Sequence, residues 1–153
     1  MTQVKAADKG RKMQLSASDI DEIRKSFMLV SADQAYAGEL FYKKLFEIAP
    51  ETRNLFVNDM GEQAKKLMNT LSVVVSQLQT WPDLAPLLED LALRHVAYGV
   101  KPEHYQSVGV ALLAMMSEML GEDFTDAMRE SWLTAYSGIT DHMIDAAYRE
   151  DRI

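Results

Sequence analysis

The sequence predicts an all-α domain, and three observations carry that prediction. Apolar residues recur at i, i+3 or i+4, and i+7 through segment after segment, the period of a helix buried along one face. Helix breakers are sparse, with 7 Gly and 4 Pro in 153 residues. No repeat, low-complexity tract or Gly/Ser linker divides the chain, and a single domain of this length buries about 68–70% of its unfolded surface.

The elements follow in order. Ser16 and Ser18 each precede an acid three residues on, Asp19 and Asp21, a capping-box-like start for a first helix that reaches about Val30. Its inward positions are Ile20, Ile23, Phe27 and Val30. A break at Ser31-Ala32-Asp33 opens a second helix running to Ala49. There Leu40, Phe41, Tyr42, Leu45, Phe46 and Ile48 form an apolar arc wide enough to be covered on two sides. Gly38 in its interior costs about 1 kcal/mol relative to alanine, and close approach of another helix would offset that. Pro50 opens a short helical turn, PETRNLF.

After Val57-Asn58-Asp59 a third helix starts near Met60 or Gly61. Leu67, Leu71, Val74 and Leu78 share one face, Gln63 and Ala64 lie a turn earlier, and Trp81-Pro82 ends it. The next stretch, DLAPLLEDLALRHVAYG, places Leu84, Leu88, Leu91 and His95 on one stripe. It tolerates Pro86 in its first turn and stops at Gly99, a suitable left-handed C′ residue. A helix from about Pro102 to Leu120 turns Val108, Leu112, Met115 and Met119 inward and closes at Gly121. The last, from about Phe124 to Arg149, turns Met128, Trp132, Tyr136, Ile139 and Met143 to one side. The ten methionines sit at core spacings and read as packing.

Composition removes whole classes of function. Without cysteine there are no disulfides, thiolate zinc sites, iron–sulfur clusters or thiol nucleophiles. No apolar run approaches the roughly 20 residues that span a bilayer. The start, MTQVKAADKGRKMQL, lacks the apolar core of a secretory signal, and the chain reads as cytoplasmic without membrane insertion. Net charge is −7, yet residues 1–15 hold Lys5, Lys9, Arg11 and Lys12 against Asp8 alone. Residues 1–15 therefore read as a flexible basic tail and 16–153 as the folded domain, whose acidic surface argues against nucleic acid. Glycine-rich phosphate loops and Ser-His-Asp spacing are missing.

His95 is the residue with chemistry to offer. An imidazole on an apolar stripe is either a ligand for a metal or haem iron, or a core histidine bonded to a backbone carbonyl. The stripe alone leaves both readings open.

Three segments narrow the choice. FYKKLFEIAPETRNLF, DMGEQAKKLM and RHVAYGVKPEHYQSVGVALL together resemble the globin family, specifically bacterial single-domain globins and the haem domain of flavohaemoglobins, over about residues 17–148. The resemblance implies a three-on-three helical sandwich around a haem pocket, with haem b (iron protoporphyrin IX) as cofactor. It makes His95 the iron ligand, its second ring nitrogen on a carbonyl near Leu91, and sets Tyr42 and Gln63 over the open coordination position. Phe56 would pack flat on the porphyrin and Leu67 press on its distal face, with Val100 and Tyr105 as proximal wall. Lys66, and Arg94 from the other side, would reach a propionate. Glutamine in place of a distal histidine implies five-coordinate iron. Flavohaemoglobin-like relatives pair the tyrosine matching Tyr105 with a glutamate whose position here falls on Ala147, so a peroxidase-like relay is in doubt. The function implied is reversible binding of O2, and of CO and NO. The alternatives are NO dioxygenase turnover with a separate reductase, a gas sensor acting through a partner, or a haem-free scaffold of the same shape. A monomer or weak homodimer is expected.

Overall fold

Side-chain caps set where the helices begin. In a computed structural model that describes residues 15–56 and 59–148, Ser16 Oγ accepts from the Asp19 amide at 2.9 Å while Asp19 accepts from the Ser16 amide at 3.1 Å. This reciprocal box opens α1, Ala17–Ser31, and leaves Ser18 inside the helix. Asp33 caps α2, Gln34–Ile48, through the Tyr36 amide, and Asp59 caps α3, Met60–Ser76, through the Glu62 amide. A 3-10 turn, Pro50–Leu55, joins those two helices. Then come α4, Trp81–Ala97, α5, Pro102–Leu120, a 3-10 turn at Gly121–Asp123, and α6, Asp126–Tyr148. No strand occurs among the described residues. Residues 1–14 of the expected tail, and Val57 and Asn58, lie outside them.

Three boundaries differ from expectation. Trp81 and Pro82 do not end the third helix; α3 stops at Ser76, and Trp81-Pro82 forms the first positions of α4. Proline is suited to that place, because the amide it lacks has no intrahelical partner there. Pro86 consequently sits in the second turn and not the first, where Pro82 loses the amide donor its carbonyl would otherwise meet. The last helix begins at Asp126, since the Thr125 hydroxyl accepts from the Met128 amide at 3.1 Å; Phe124 is buried just ahead of it.

The end of α4 is fixed by its backbone. Gly99 donates to the Val96 carbonyl and Val100 to the His95 carbonyl, both at 3.0 Å, with Gly99 at φ +93°. That pair of bonds is a Schellman closure, and it stops the helix one turn after His95.

Packing makes α2 central, between α5 on one side and α3 on the other, while α6 lies against α4 and α1. Trp132 Nε1 donates to Ser26 Oγ at 2.7 Å and Ser131 Oγ donates to Asp19 Oδ1 at 2.8 Å, so α6 is registered on α1 by polar as well as apolar contacts. Lys44 and Glu118 pair at 2.6 Å between α2 and α5. The apolar arc of α2 is narrower than its sequence implies at one end, where Ile48 is exposed.

Gly38 is where α2 and α3 touch most closely. A Cβ at Gly38 would lie 2.6 Å from Ala64 Cβ and 3.1 Å from its Cα and carbonyl oxygen. The glycine is thus required by contact with backbone that has no room to retreat. Gly38→Ala is expected to lower unfolding free energy by about 1–3 kcal/mol, overpacking outweighing the helix propensity gained. Thermal melts of Gly38→Ala, Ala64→Gly and the double variant would check this. The double variant should be more stable than the sum of the two single effects.

Candidate metal centre

The α4 stripe is built as its sequence implies. Leu84 and Leu88 are fully buried, and Leu91 and His95 are half-buried at the end nearer Gly99. His95 Nδ1 lies 2.7 Å from the Leu91 carbonyl oxygen. A carbonyl can only accept, so Nδ1 carries the proton, and the neutral ring keeps its lone pair on Nε2. Burial pushes His95 below the ordinary imidazole range; the Leu91 bond opposes this, and the neighbouring Arg94 guanidinium adds to it. The ring is therefore neutral at pH 7, the state in which imidazole coordinates a transition metal.

A linkage follows with a definite sign. An unfolded histidine titrates near 6.5, while folded His95 titrates lower. Between those two values the unfolded chain holds more protons, so stability falls as pH falls through that window and is unaffected by His95 above it. In the ligand-free protein, melting temperature should drop on acidification below about pH 6.5. His95→Gln should flatten that part of the curve; an unchanged slope would remove His95 as its source.

The ring against His95 comes from α5, and α6 supports it from behind. The Tyr105 ring stacks on the imidazole, with centroids 6.0 Å apart and planes inclined by 17°. Its hydroxyl is buried without a hydrogen-bond partner, and burial together with the nearby Tyr148 phenol pushes its pKa up to about 12. Tyr136 donates to the Tyr105 carbonyl at 2.6 Å, and Tyr148 donates to the Val100 carbonyl. Two tyrosines of α6 therefore hold the backbone of the two residues expected to wall this side. Ala147, half-buried next to Tyr148, offers no carboxylate to the orphaned phenol.

On α2 and α3 a second group assembles. Tyr42 is buried, with the Phe56 ring at 5.2 Å and the Phe46 ring at 6.0 Å, and those two rings are 5.8 Å from each other. Burial pushes the Tyr42 phenol up, and a hydrogen bond with the Gln63 side chain partly offsets the rise. Tyr42 thus keeps its proton at neutral pH and remains a donor. Gln63 and Leu67 are half-buried on successive turns of α3. Lys66 is exposed, and the exposed Arg94 is paired with Asp90 at 2.9 Å, so neither charge is drawn inward by the protein itself.

Sequence reasoning did not find the His142 contact. His142 Nε2 lies 2.9 Å from Glu89 Oε2, with the Trp81 ring edge-on at 5.0 Å, joining α6 to the first half of α4. The partners sit on different helices, so no spacing along the chain announces them. Among the described residues, no three His, Cys, Asp or Glu side chains gather to hold a bare metal ion. No described helix is long and apolar enough to cross a membrane.

The described residues form an all-helical protein with a half-buried imidazole on α4, stacked by Tyr105, and a buried phenol on α2, beside Phe46 and Phe56. The globin family pattern matches residues 39–143. The chain is 34% identical over 124 residues to a flavohemoprotein of Rhizobium meliloti, covering 78% of this chain and 31% of that protein. It is 32% identical over 143 residues to a neuroglobin of Tetraodon nigroviridis, covering 84% and 90%. The solved structure of a bacterial globin from Campylobacter jejuni superposes with a TM-score of 0.76 at 25% identity, covering 90% of this chain and 100% of that one. The chain belongs to the globin family, with the all-α globin fold. It spans about a third of the flavohemoprotein it matches.

Proposed function

We propose that the chain holds haem b with His95 Nε2 as the iron's protein ligand and reversibly binds O2, as well as CO and NO, on the side of Tyr42 and Gln63. Family membership supports the coarser statement, a haem-based gas-binding protein. The finer reading rests on one observation above others: the 2.7 Å bond from His95 Nδ1 to the Leu91 carbonyl, which leaves a neutral ring with a free lone pair. The residues fit the group. A porphyrin supplies four nitrogen donors of its own, so a single imidazole suffices, consistent with the lack of any three-ligand cluster among the described residues. Phe56, Leu67 and Val100, all half-buried, provide apolar surface for the macrocycle, and Tyr105 stacks on the ligand ring.

When bound, haem supplies a ferrous iron that takes up diatomic gases. The protein's residues select among them. Tyr42 O–H and the Gln63 amide donate hydrogen bonds to a gas that polarises on binding, which favours O2 far more than CO. On the other side a carbonyl, not a carboxylate, partners His95, which keeps the ligand weakly basic. Lys66 remains a candidate for a propionate, and Arg94 does so only if it releases Asp90.

The absorption spectrum of the reduced protein tests this directly. A Soret band, a five-coordinate ferrous form and a reversible change with O2 are expected. A six-coordinate low-spin ferrous form without added gas would overturn the distal assignment, and no Soret band would leave the haem-free scaffold.

The similarity to flavohemoproteins favours one second reading, NO dioxygenase activity, in which NO, O2 and one electron give nitrate. Tyr42 and Gln63 serve it equally well, but each turnover needs an electron from a nicotinamide-dependent reductase. Sustained NO consumption with NADH and a supplied reductase would establish it; stoichiometric consumption would leave binding alone. Sensing would need a partner protein as well. Cytoplasmic location and a monomer or weak homodimer belong to the same proposal.

A further inference from the structure

Gly38 and Gly109 both sit inside helices against a neighbouring element, but for different reasons. At Gly38 the obstacle to a Cβ is Ala64, its backbone included. At Gly109, in α5, a Cβ would lie 2.6 Å from Cε2 and 3.0 Å from Cδ2 of Tyr136, and the three nearest atoms all belong to that ring. Gly109 is not one of the positive-φ glycines, Gly99 and Gly121, so its backbone is open to any residue. A half-buried phenol can swing aside where a helix backbone cannot. Alanine at 109 would therefore disturb the place of Tyr136 more than the fold, and its better helix propensity would offset part of the lost contact.

Helical register explains what Tyr136 does there. In an α-helix the carbonyl of one residue points toward the residue four further on, so the Tyr105 carbonyl points toward position 109. A hydroxyl that reaches this carbonyl from α6 must bring its ring over that position. Tyr136 donates to the Tyr105 carbonyl at 2.6 Å while its ring covers Gly109. The Tyr105 hydroxyl has no partner of its own, so the backbone is where α6 holds this residue by a hydrogen bond. Tyr105 in turn stacks on the His95 ring, with centroids 6.0 Å apart. The Leu91 bond to His95 lies within α4 and moves with that helix. The Tyr105 stack ties the imidazole to the rest of the fold.

We propose, on the gas-binding reading above, that Gly109 is a positioning residue for His95. By leaving room for Tyr136 over α5 it fixes the Tyr105 ring against the imidazole, and so sets the orientation of the iron's ligand. O2 and CO share that ligand, so a change at Gly109 alters both by one factor, whereas a change at Tyr42 separates them.

Gly109→Ala and Tyr136→Phe break this line of contacts at different points, the first displacing the ring and the second removing only its hydroxyl. Either should shift the iron–imidazole stretching band of the ferrous protein and change CO and O2 association several-fold by a common factor. The double variant should go no further than the single ones. Tyr136 also gives a readout that needs no iron. Burial, and then the nearby Tyr105 phenol, push its pKa up. In Gly109→Ala the displaced phenol should titrate closer to ordinary tyrosine, as followed by the carbon resonances of isotopically labelled tyrosine in the purified protein under CO. An unchanged Tyr136 titration in Gly109→Ala would overturn the proposal, because alanine then fits without moving the ring. So would a displaced Tyr136 with the band and both rates unaltered, effects that add in the double variant, or a change confined to O2. If Gly109→Ala does not fold, Tyr136→Phe carries the same spectral and kinetic expectation. Failure to take up haem would defeat the gas-binding reading instead. The Tyr136 titration and the ring contact between Tyr105 and His95, read by nuclear Overhauser effects, would then still decide what Gly109 holds in place.

Discussion

Replacing His95 with glycine is expected to abolish the Soret band of protein purified without added ligand, and excess free imidazole should restore it. His95 is the only imidazole among the residues assembled around the site. His104 accepts the Lys101 amide at the start of α5, and His142 is engaged by Glu89. Removal therefore leaves no substitute donor on that side. The loss should exceed the ten- to hundredfold that removing a partner of a metal ligand costs, because here the ligand itself goes. The vacated space has the right chemistry for rescue. The Leu91 carbonyl would hold the N–H of a free imidazole and the Tyr105 ring would stack on it, as both do with His95 now. Rescue is the informative arm, since a variant that merely misfolds would not recover a spectrum on adding imidazole. A variant that kept the unmutated spectrum unaided would make His95 a core residue.

Much of this was legible along the chain because helices print their buried faces as a period. Leu84, Leu88 and His95 fall on one stripe in the sequence and on one inward face in space. Gly38 was also readable, since a mid-helix glycine needs a compensating contact and Ala64 provides it. Contacts between distant helices were not readable from spacing. Nothing in the sequence places Glu89 beside His142, or aims the hydroxyls of Tyr136 and Tyr148 at the carbonyls of Tyr105 and Val100. Trp81-Pro82 was misassigned for a different reason. Proline marks a boundary without saying which side of it the helix lies on, and here the missing amide falls at the start of α4.

The proximal side shows how one substitution along the chain alters chemistry elsewhere. The Tyr105 hydroxyl is buried and unpartnered where the resemblance would put a glutamate, and Ala147 stands at that position. A buried donor without an acceptor is costly, so the phenol must be held by its ring packing and by its backbone, which Tyr136 clamps. With no carboxylate at position 147, Tyr105 supports His95 by contact, and the hydrogen-bond partner of the imidazole is the Leu91 carbonyl. This is the arrangement expected of a gas binder more than of a protein that cleaves O–O bonds.

The corresponding test on the other side is Tyr42→Phe, which should accelerate O2 dissociation by about ten- to a hundredfold while CO release changes little. The range follows from one hydrogen bond to a partner carrying charge, about 1.5–3 kcal/mol, expressed as a rate of escape. The substitution removes one oxygen and leaves the ring, so the edge-on contacts with Phe41 at 4.9 Å and Phe56 at 5.2 Å persist and stability should alter little. Gln63, half-buried on α3, remains as a second donor, so Tyr42→Phe with Gln63→Leu should lose more than either alone. Stopped-flow displacement of O2 and of CO, measured on the same preparations, separates the possibilities. Equal acceleration of both gases would mean that Tyr42 acts by filling space, and that polarity on this side of the site does not decide which gas stays.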